Sequence, residues 1–131
     1  MPKIALTLCV LTATYAVCRL DSRASMPEWA TSGDFFSVTR TADELSVVCD
    51  QSLVPEDLKC EGGWRCLKVQ GPLDFGLTGV LASLSLPLAE ASISIFVIST
   101  YDTDYLMVKA ADLEQAIAVL EQAGNIVIQE G

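Results

Sequence analysis

A glycine-containing loop in the second half of the chain has residue types that favour binding of a small anion. Residues 71–80 include Pro72, Gly76, Thr78 and Gly79, and they lie between a predicted strand and a predicted helix. At such a junction the first backbone N–H groups of the helix lack partners, and the helix dipole favours negative charge. The glycines allow a ligand to approach the backbone closely. A carboxylate has the right size for this position.

A second candidate is the predicted hairpin at residues 98–105, which combines two carboxylates with two threonines and two tyrosines. Asp102 and Asp104 can hold an ammonium or guanidinium group. Each segment also has a simpler interpretation. The loop can be an ordinary turn with Thr78 capping the helix, and the aspartates can be turn formers that bond their own backbone.

The composition excludes several classes of function. The chain has no histidine and a formal net charge of -9. It therefore has no Ser–His or Cys–His nucleophile pair, and its negative surface disfavours nucleic acid and anionic membranes. We predict that it is not an enzyme and that it holds no metal and no cofactor. A hydrolase or transferase that uses Asp102 and Asp104 is a weaker alternative, because no activated nucleophile accompanies them.

The five cysteines are odd in number and show no close pair of the kind that zinc sites use. They are Cys9, Cys18, Cys49, Cys60 and Cys66. Three of them fall in apolar strand-like runs, where a free cysteine behaves as a small hydrophobe. Reduced thiols in the cytoplasm are therefore expected. The apolar run at residues 4–18 contains three threonines and a tyrosine, which favours two folded strands, at 4–11 and 15–20, over an export signal.

The remaining pattern predicts an α+β fold in two parts. Residues 1–62 are predicted to form a strand-rich unit with a hairpin at 35–49 and a linker at 51–63. Residues 63–131 are predicted to alternate as strand, helix, strand, strand, helix, strand, which is the ferredoxin-like order. Pro87 is expected to kink or restart the first helix, and Gly124 to end the second.

These segments together resemble an ACT domain. The resemblance rests on Leu-Asp-Phe-Gly-Leu-Thr-Gly-Val at 73–80, Pro-Leu-Ala at 87–89, and the run from Ile93 to Val108 that contains Ile-Ser-Thr-Tyr and Asp104. It is strongest with the branch related to aspartate kinase regulatory domains and CASTOR-type arginine sensors. It covers residues 64–129 firmly, while the first half resembles a degenerate companion ACT unit.

The resemblance implies that the chain binds an amino acid through the loop and the hairpin. The residues it nominates are Phe75, Gly76, Leu77, Thr78, Gly79, Thr100, Tyr101 and Asp104. The loop would hold the ligand's carboxylate, and Asp104 would hold a positive group. Where the arginine sensors carry an acidic loop residue this chain has Leu77, which leaves a neutral amino acid open.

The resemblance further implies a cytoplasmic regulatory protein or sensor that forms a homodimer and acts on a separate enzyme. An ACT-like interaction module that binds no ligand is the main alternative. A response to a ligand distinguishes the two.

Overall fold

The computed structural model describes residues 5–71 and 78–130, and this part of the chain contains seven strands and two α-helices. The elements are β1 (Thr7–Leu20), β2 (Ser37–Arg40), β3 (Leu45–Asp50), β4 (Cys60–Val69), α1 (Val80–Glu90), β5 (Ile95–Ser99), β6 (Asp104–Lys109), α2 (Leu113–Gln122) and β7 (Ile126–Gln129). Strand pairing is mainly antiparallel, so the predicted α+β class is confirmed. Within the described ranges, no helix is long and apolar enough to cross a membrane.

The chain divides into two compact units. Met1–Thr12 and Arg65–Gly131 form one unit, here called the helical unit, and Ala13–Trp64 form the other, here called the strand unit. The predicted boundary fell between residues 62 and 63. The beginning of the chain, up to Thr12, is grouped with the second half.

The sheet of the helical unit has the strand order β7-β1-β4-β6-β5. The first part of β1 therefore lies between β7 and β4, and it pairs with β7 in parallel from Thr7 opposite Ile126 to Val10 opposite Gln129. The sequence predicted two strands separated by a turn in this region, which was wrong. Thr12, Ala13 and Thr14 include no turn-forming residue, so a single strand continues through them.

Both helices pack on one face of this sheet. Leu8 and Val10 of β1 join residues of β4, β6, α1 and α2 in one buried cluster, whose other members are Leu67, Val69, Leu84, Leu88, Ile93, Leu106, Val108, Ala116 and Leu120. Side chains alternate between the faces of a strand, so Cys66 and Met107 point away from this cluster. Both are nevertheless fully buried. The second face is therefore also covered at these two positions.

The ends of the two helices differ from the sequence prediction at one point. α1 is continuous through Pro87, which falls in its last turn, so the helix does not restart there. A proline this close to the C-terminus interrupts little of the helical hydrogen bonding. α2 ends as predicted, because Gly124 takes a φ of +103° and the N–H of Asn125 donates to Leu120 O at 3.1 Å.

The strand unit pairs β2 with β3 and β3 with β1, all antiparallel. Its smaller core consists of Ala16, Cys18, Ala30, Leu45, Val47 and Cys49. The hairpin predicted at 35–49 is confirmed as β2 and β3. The linker predicted at 51–63 was partly wrong, because β4 already begins at Cys60.

Candidate functional site

The start of α1 is set by glycine rather than by a side-chain cap. Gly79 is the N-cap residue and takes a φ of +82°, a conformation that favours glycine. The N–H of Ser83 donates to Gly79 O at 2.9 Å, which closes the first turn. The prediction that Thr78 caps the helix was wrong, because the N-cap is one residue later and has no side chain. Thr78 and Gly79 are both exposed at this helix start.

The hairpin of β5 and β6 holds the other predicted residues. Ser99 pairs with Asp104 across the two strands, and the Ser99 hydroxyl donates to Asp104 Oδ1 at 2.6 Å. This bond fixes the orientation of the carboxylate and occupies one lone pair of Asp104 Oδ1. The other acceptor positions of the half-buried carboxylate can receive an ammonium group.

Threonines close the turn between β5 and β6. The N–H of Thr100 donates to Thr103 O at 2.8 Å, and the N–H of Thr103 donates to Thr100 Oγ1 at 3.3 Å. Tyr101 lies at the tip and is 81% exposed. Its aromatic ring is therefore presented to solvent, where it is accessible to a ligand.

Thr103 was missed by the sequence analysis as a positioning residue. It is 5% exposed, and its hydroxyl donates to Val69 O at 2.6 Å. Val69 is the last residue of β4, two positions before the predicted binding loop begins at Gly71. The hairpin turn is therefore held against the strand end from which the loop leaves. Because the two partners are far apart in sequence, no local pattern could reveal this bond.

A cation also lies near the hairpin. Lys68 Nζ is 5.9 Å from the centroid of the Tyr105 ring, within the range of a cation–π contact. Tyr105 follows Asp104 directly, so the helical unit places positive and negative groups on neighbouring strands β4 and β6.

The structure brings together only part of the predicted site. Thr100, Tyr101 and Asp104 share one hairpin, and Thr78 and Gly79 share one helix start. Phe75, Gly76 and Leu77 lie outside the described residues. The joint site of loop and hairpin therefore stays a prediction.

Two open cavities occur elsewhere in the helical unit. One, of about 380 Å³, lies between α1 and α2, and the other, also about 380 Å³, lies beside α1 and β5. Neither is lined by a predicted site residue. Among residues 5–71 and 78–130, no group of three or more Cys, Asp or Glu residues is arranged to hold a metal ion.

Comparison with protein families gives two matches along the chain. A model described as an ACT domain matches residues 59–122. A second model, for an N-terminal domain, matches residues 13–57, which lie within the strand unit.

A curated relative and a solved structure are similar to this chain over most of its length. The human cytosolic arginine sensor for mTORC1, subunit 1, is 32% identical over 108 residues, which are 74% of this chain and 33% of the relative. The chain thus spans about a third of the length of such curated relatives. E. coli aspartokinase III, solved with aspartate and ADP, has a TM-score of 0.61 at 14% identity over 88% of this chain and 32% of that one. This likeness shows the fold alone.

A bacterial structure matches along nearly its whole length. Protein Atu0741 from Agrobacterium tumefaciens is 41% identical, with a TM-score of 0.92 over 98% of this chain and 96% of that chain. With the ACT-domain match at residues 59–122 and the ferredoxin-like strand and helix order of the helical unit, these similarities show that the chain belongs to the ACT-domain family.

Proposed function

We propose that the chain is a regulatory amino-acid sensor that binds its ligand in the helical unit and catalyses no reaction. The observation that carries the proposal is the Thr103 hydroxyl bond to Val69 O, 2.6 Å long. It holds the hairpin turn beside the strand end that leads, through the loop, to the start of α1. This bond supports the proposal because it places the acidic and hydroxyl groups of the hairpin beside the end of β4. We expect the start of α1, which follows β4 along the chain, to bring its backbone N–H groups to the same end of the sheet.

The chemistry of these groups matches a zwitterion. The first N–H groups of α1 lack intrahelical acceptors, and together with the helix dipole they stabilise a carboxylate. Asp104, oriented by Ser99, offers charged oxygens to the α-ammonium group. The net charge of -9 adds a field that attracts the ammonium end.

The side-chain preference is proposed to be neutral. Leu77 stands where the resembling arginine sensors carry an acidic residue, so this position of the sequence supplies no carboxylate for a basic side chain. The human relative is named an arginine sensor, and the aspartokinase was solved with aspartate. The present chain is proposed to bind an amino acid of another class, and to do so as a cytoplasmic homodimer that regulates a separate enzyme.

Thermal unfolding in the presence of each of the twenty amino acids tests the proposal. A ligand at about 100 times its dissociation constant adds nearly 3 kcal/mol to the free energy of unfolding, which gives a shift of several degrees. We expect such a shift with one or a few neutral amino acids. If no amino acid moves the midpoint, the ligand class is wrong.

Variants locate the site. Thr78→Val combined with Asp104→Asn is expected to abolish the shift while the ligand-free midpoint changes little, because both residues lie at the surface or near it. Asp43→Asn removes the same charge from an exposed hairpin turn in the strand unit and serves as the matched control. An equal loss of the ligand response in Asp43→Asn would contradict the proposed location.

A structural module that binds no ligand is the second candidate. Ile126 and Ile128 on β7 are 61% and 42% exposed, so an edge strand of the helical unit presents apolar side chains to solvent. An exposed apolar strand of this kind suits association with another chain. Association that persists without any amino acid, together with no thermal response, favours this function over sensing.

A further inference from the structure

Two thiols face each other across neighbouring strands of the strand unit. The N–H of Arg19 donates to Lys59 O at 3.0 Å, and the residues next to this pair are Cys18 on β1 and Cys60 on β4. The Cys60 side chain lies close enough to Cys18 to raise the pKa of its thiol, after the larger effect of burial. Residue 19 opposite 59 and residue 18 opposite 60 define an antiparallel register in which the two cysteines are direct partners.

This register has the dimensions of a disulfide. Residues directly opposite each other in an antiparallel pair have Cα atoms about 4.5 or about 5.5 Å apart. Disulfides join residues whose Cα atoms are about 4.4 to 6.8 Å apart. Both possible spacings fall within that range, so the register suits a bond between the two sulfur atoms.

A third cysteine lies nearby but in an unsuitable position. Cys49 on β3 is opposite Ala16, while Cys18 is opposite Val47. Cys49 is therefore a diagonal neighbour of Cys18, at a typical Cα separation of about 7 to 8 Å, which is too long for a disulfide. The register thus selects Cys60 over Cys49 as the partner.

The two thiols also differ in access. Cys60 is exposed, whereas Cys18 is 1% exposed and lies in the core of the unit. Both line an open cavity of about 260 Å³, together with Arg19, Lys59, Glu44 and Glu61, which give its rim charges of both signs. A small disulfide can therefore reach Cys60 first, and Cys18 is next to it.

We propose that Cys18 and Cys60 form a reversible cross-strand disulfide, which makes the strand unit a site of thiol–disulfide exchange with low-molecular-weight disulfides. This inference does not depend on amino-acid binding by the helical unit.

The exchange takes place in two balanced steps. The Cys60 thiolate attacks one sulfur of the small disulfide, the bond between its sulfurs breaks, and one small thiolate leaves and takes up a proton. Cys18 Sγ then attacks Cys60 Sγ, transfers its proton to the departing second thiolate, and closes the protein disulfide. The small disulfide gains two electrons, and the two cysteines lose them.

The state of Cys18 supports this order of events. Burial, followed by the nearby Cys60 and Cys49 thiols, raises the pKa of Cys18 to about 12. Cys18 therefore remains a thiol at neutral pH and is a poor first nucleophile. Cys18 attacks only after Cys60 has formed the mixed disulfide, which places a reactive sulfur next to Cys18.

Peptide mapping after treatment with oxidised glutathione tests the proposal. The 131-residue chain is treated and its remaining thiols are blocked. Trypsin then separates Cys60 in peptide 60–65 from Cys49 in peptide 41–59 and Cys66 in peptide 66–68. Cys18 shares peptide 4–19 with Cys9, so the Cys9→Ser variant is used throughout. We expect a link between peptides 4–19 and 60–65 that a thiol reductant removes.

Three variants separate this proposal from other outcomes. Cys18→Ser, or Cys18→Ala if the serine variant does not fold, should leave glutathione attached to Cys60. Cys60→Ser should show neither the link nor an adduct on Cys18. Cys49→Ser is the matched control and should still form the link. Stable glutathione on Cys60 in the chain that retains Cys18, or a link to peptide 41–59 instead, would overturn the proposal.

Discussion

The helical unit and the strand unit bury their strands in different ways. In the helical unit, α1 and α2 cover the sheet, and large aliphatic side chains such as Leu88 and Leu120 fill the space between helices and strands. In the strand unit, all of whose residues are described, only short 3-10 turns accompany the strands, and alanine and cysteine make up much of the core.

This difference explains where each proposed site lies. A helix start supplies unpaired N–H groups for a carboxylate, and only the helical unit has α-helices among the described residues. In the strand unit, the pairing of β1 with β4 places Cys18 and Cys60 on neighbouring strands. The helical unit therefore offers backbone N–H groups that can bind an anion, and the strand unit offers two neighbouring thiols.

The largest expected effect is the loss of stability when a buried leucine is replaced by alanine, and it should differ between the cores of the two units. Leu120→Ala should lower the free energy of unfolding by about 3 to 5 kcal/mol, because it leaves a cavity between α2 and the sheet. Leu45→Ala in the strand unit should cost about 2 to 3 kcal/mol, since fewer large side chains surround the cavity there. Both leucines are fully buried. Urea titration of the two variants measures the difference, and a larger cost at Leu45 would contradict the comparison.

A smaller effect tests the grouping of the beginning of the chain with the helical unit. Asn125 is buried; its Oδ1 accepts the Leu6 N–H at 3.0 Å, and its Nδ2 donates to Leu120 O at 3.0 Å. Asn125→Ala should cost about 1 to 3 kcal/mol in urea titration, because the part-buried Leu6 N–H loses its acceptor and Leu120 O keeps only the backbone bond from residue 125. Asn125→Asp keeps the acceptor for the Leu6 N–H. Hydrogen exchange at the Leu6 amide should therefore stay as slow as in the wild type in Asn125→Asp and become faster in Asn125→Ala. Fast exchange at Leu6 in the wild-type chain would argue against this grouping.

The bond that positions the hairpin gives a still smaller change in stability. Thr103→Val removes the hydroxyl that donates to Val69 O and should destabilise the chain by about 1 to 2 kcal/mol. We also expect the thermal shift caused by the amino acid to fall, because the hairpin is no longer held at the end of β4. Thr103→Ser retains the hydroxyl and should retain both properties. An unchanged ligand response in Thr103→Val would show that this bond does not position the site.

The smallest effect concerns pH and the last residues of the helical unit. Hydrogen bonds from the Thr12 N–H and hydroxyl, at 3.0 and 3.1 Å, hold the pKa of Glu130 below its usual value. The folded state therefore favours the carboxylate. Its contribution to stability is present above the unfolded pKa and is lost as the pH falls through the folded pKa.

Thermal midpoints of the wild-type chain and Glu130→Gln check this sign. The variant should be slightly less stable at pH 7 and equal to the wild type near pH 3. Thr12→Val removes the hydroxyl bond but keeps the backbone bond, so it should show a part of the difference. A difference that grows toward low pH would contradict the assignment.

The parts of the fold that were predictable are those specified by neighbours in sequence. The apolar run before Asp102 and Asp104 indicates the β5–β6 hairpin, and the stripe that includes Leu113 and Leu120 indicates α2. Gly124 follows that stripe and ends the helix as expected.

The parts that were missed depend on partners far apart in the chain. β1 pairs with β7 across more than one hundred residues, and nothing within β1 indicates that its first half belongs to the helical unit. The same reason hides the Thr103 bond to Val69 and the pairing of Cys18 with Cys60. For the candidate site, the residue types on the loop and hairpin could be nominated from sequence, whereas the bond that positions the hairpin could not.

Amide NMR of the nitrogen-15-labelled chain, titrated with each neutral amino acid, shows whether a ligand binds at the hairpin and the start of α1. We expect one of them to perturb the amides of Thr78, Gly79, Thr100 and Asp104, while those of Ser46 and Val47 in the strand unit stay unchanged. Saturable perturbations confined to residues 13–64, or none with any of the twenty amino acids at millimolar concentration, would contradict it.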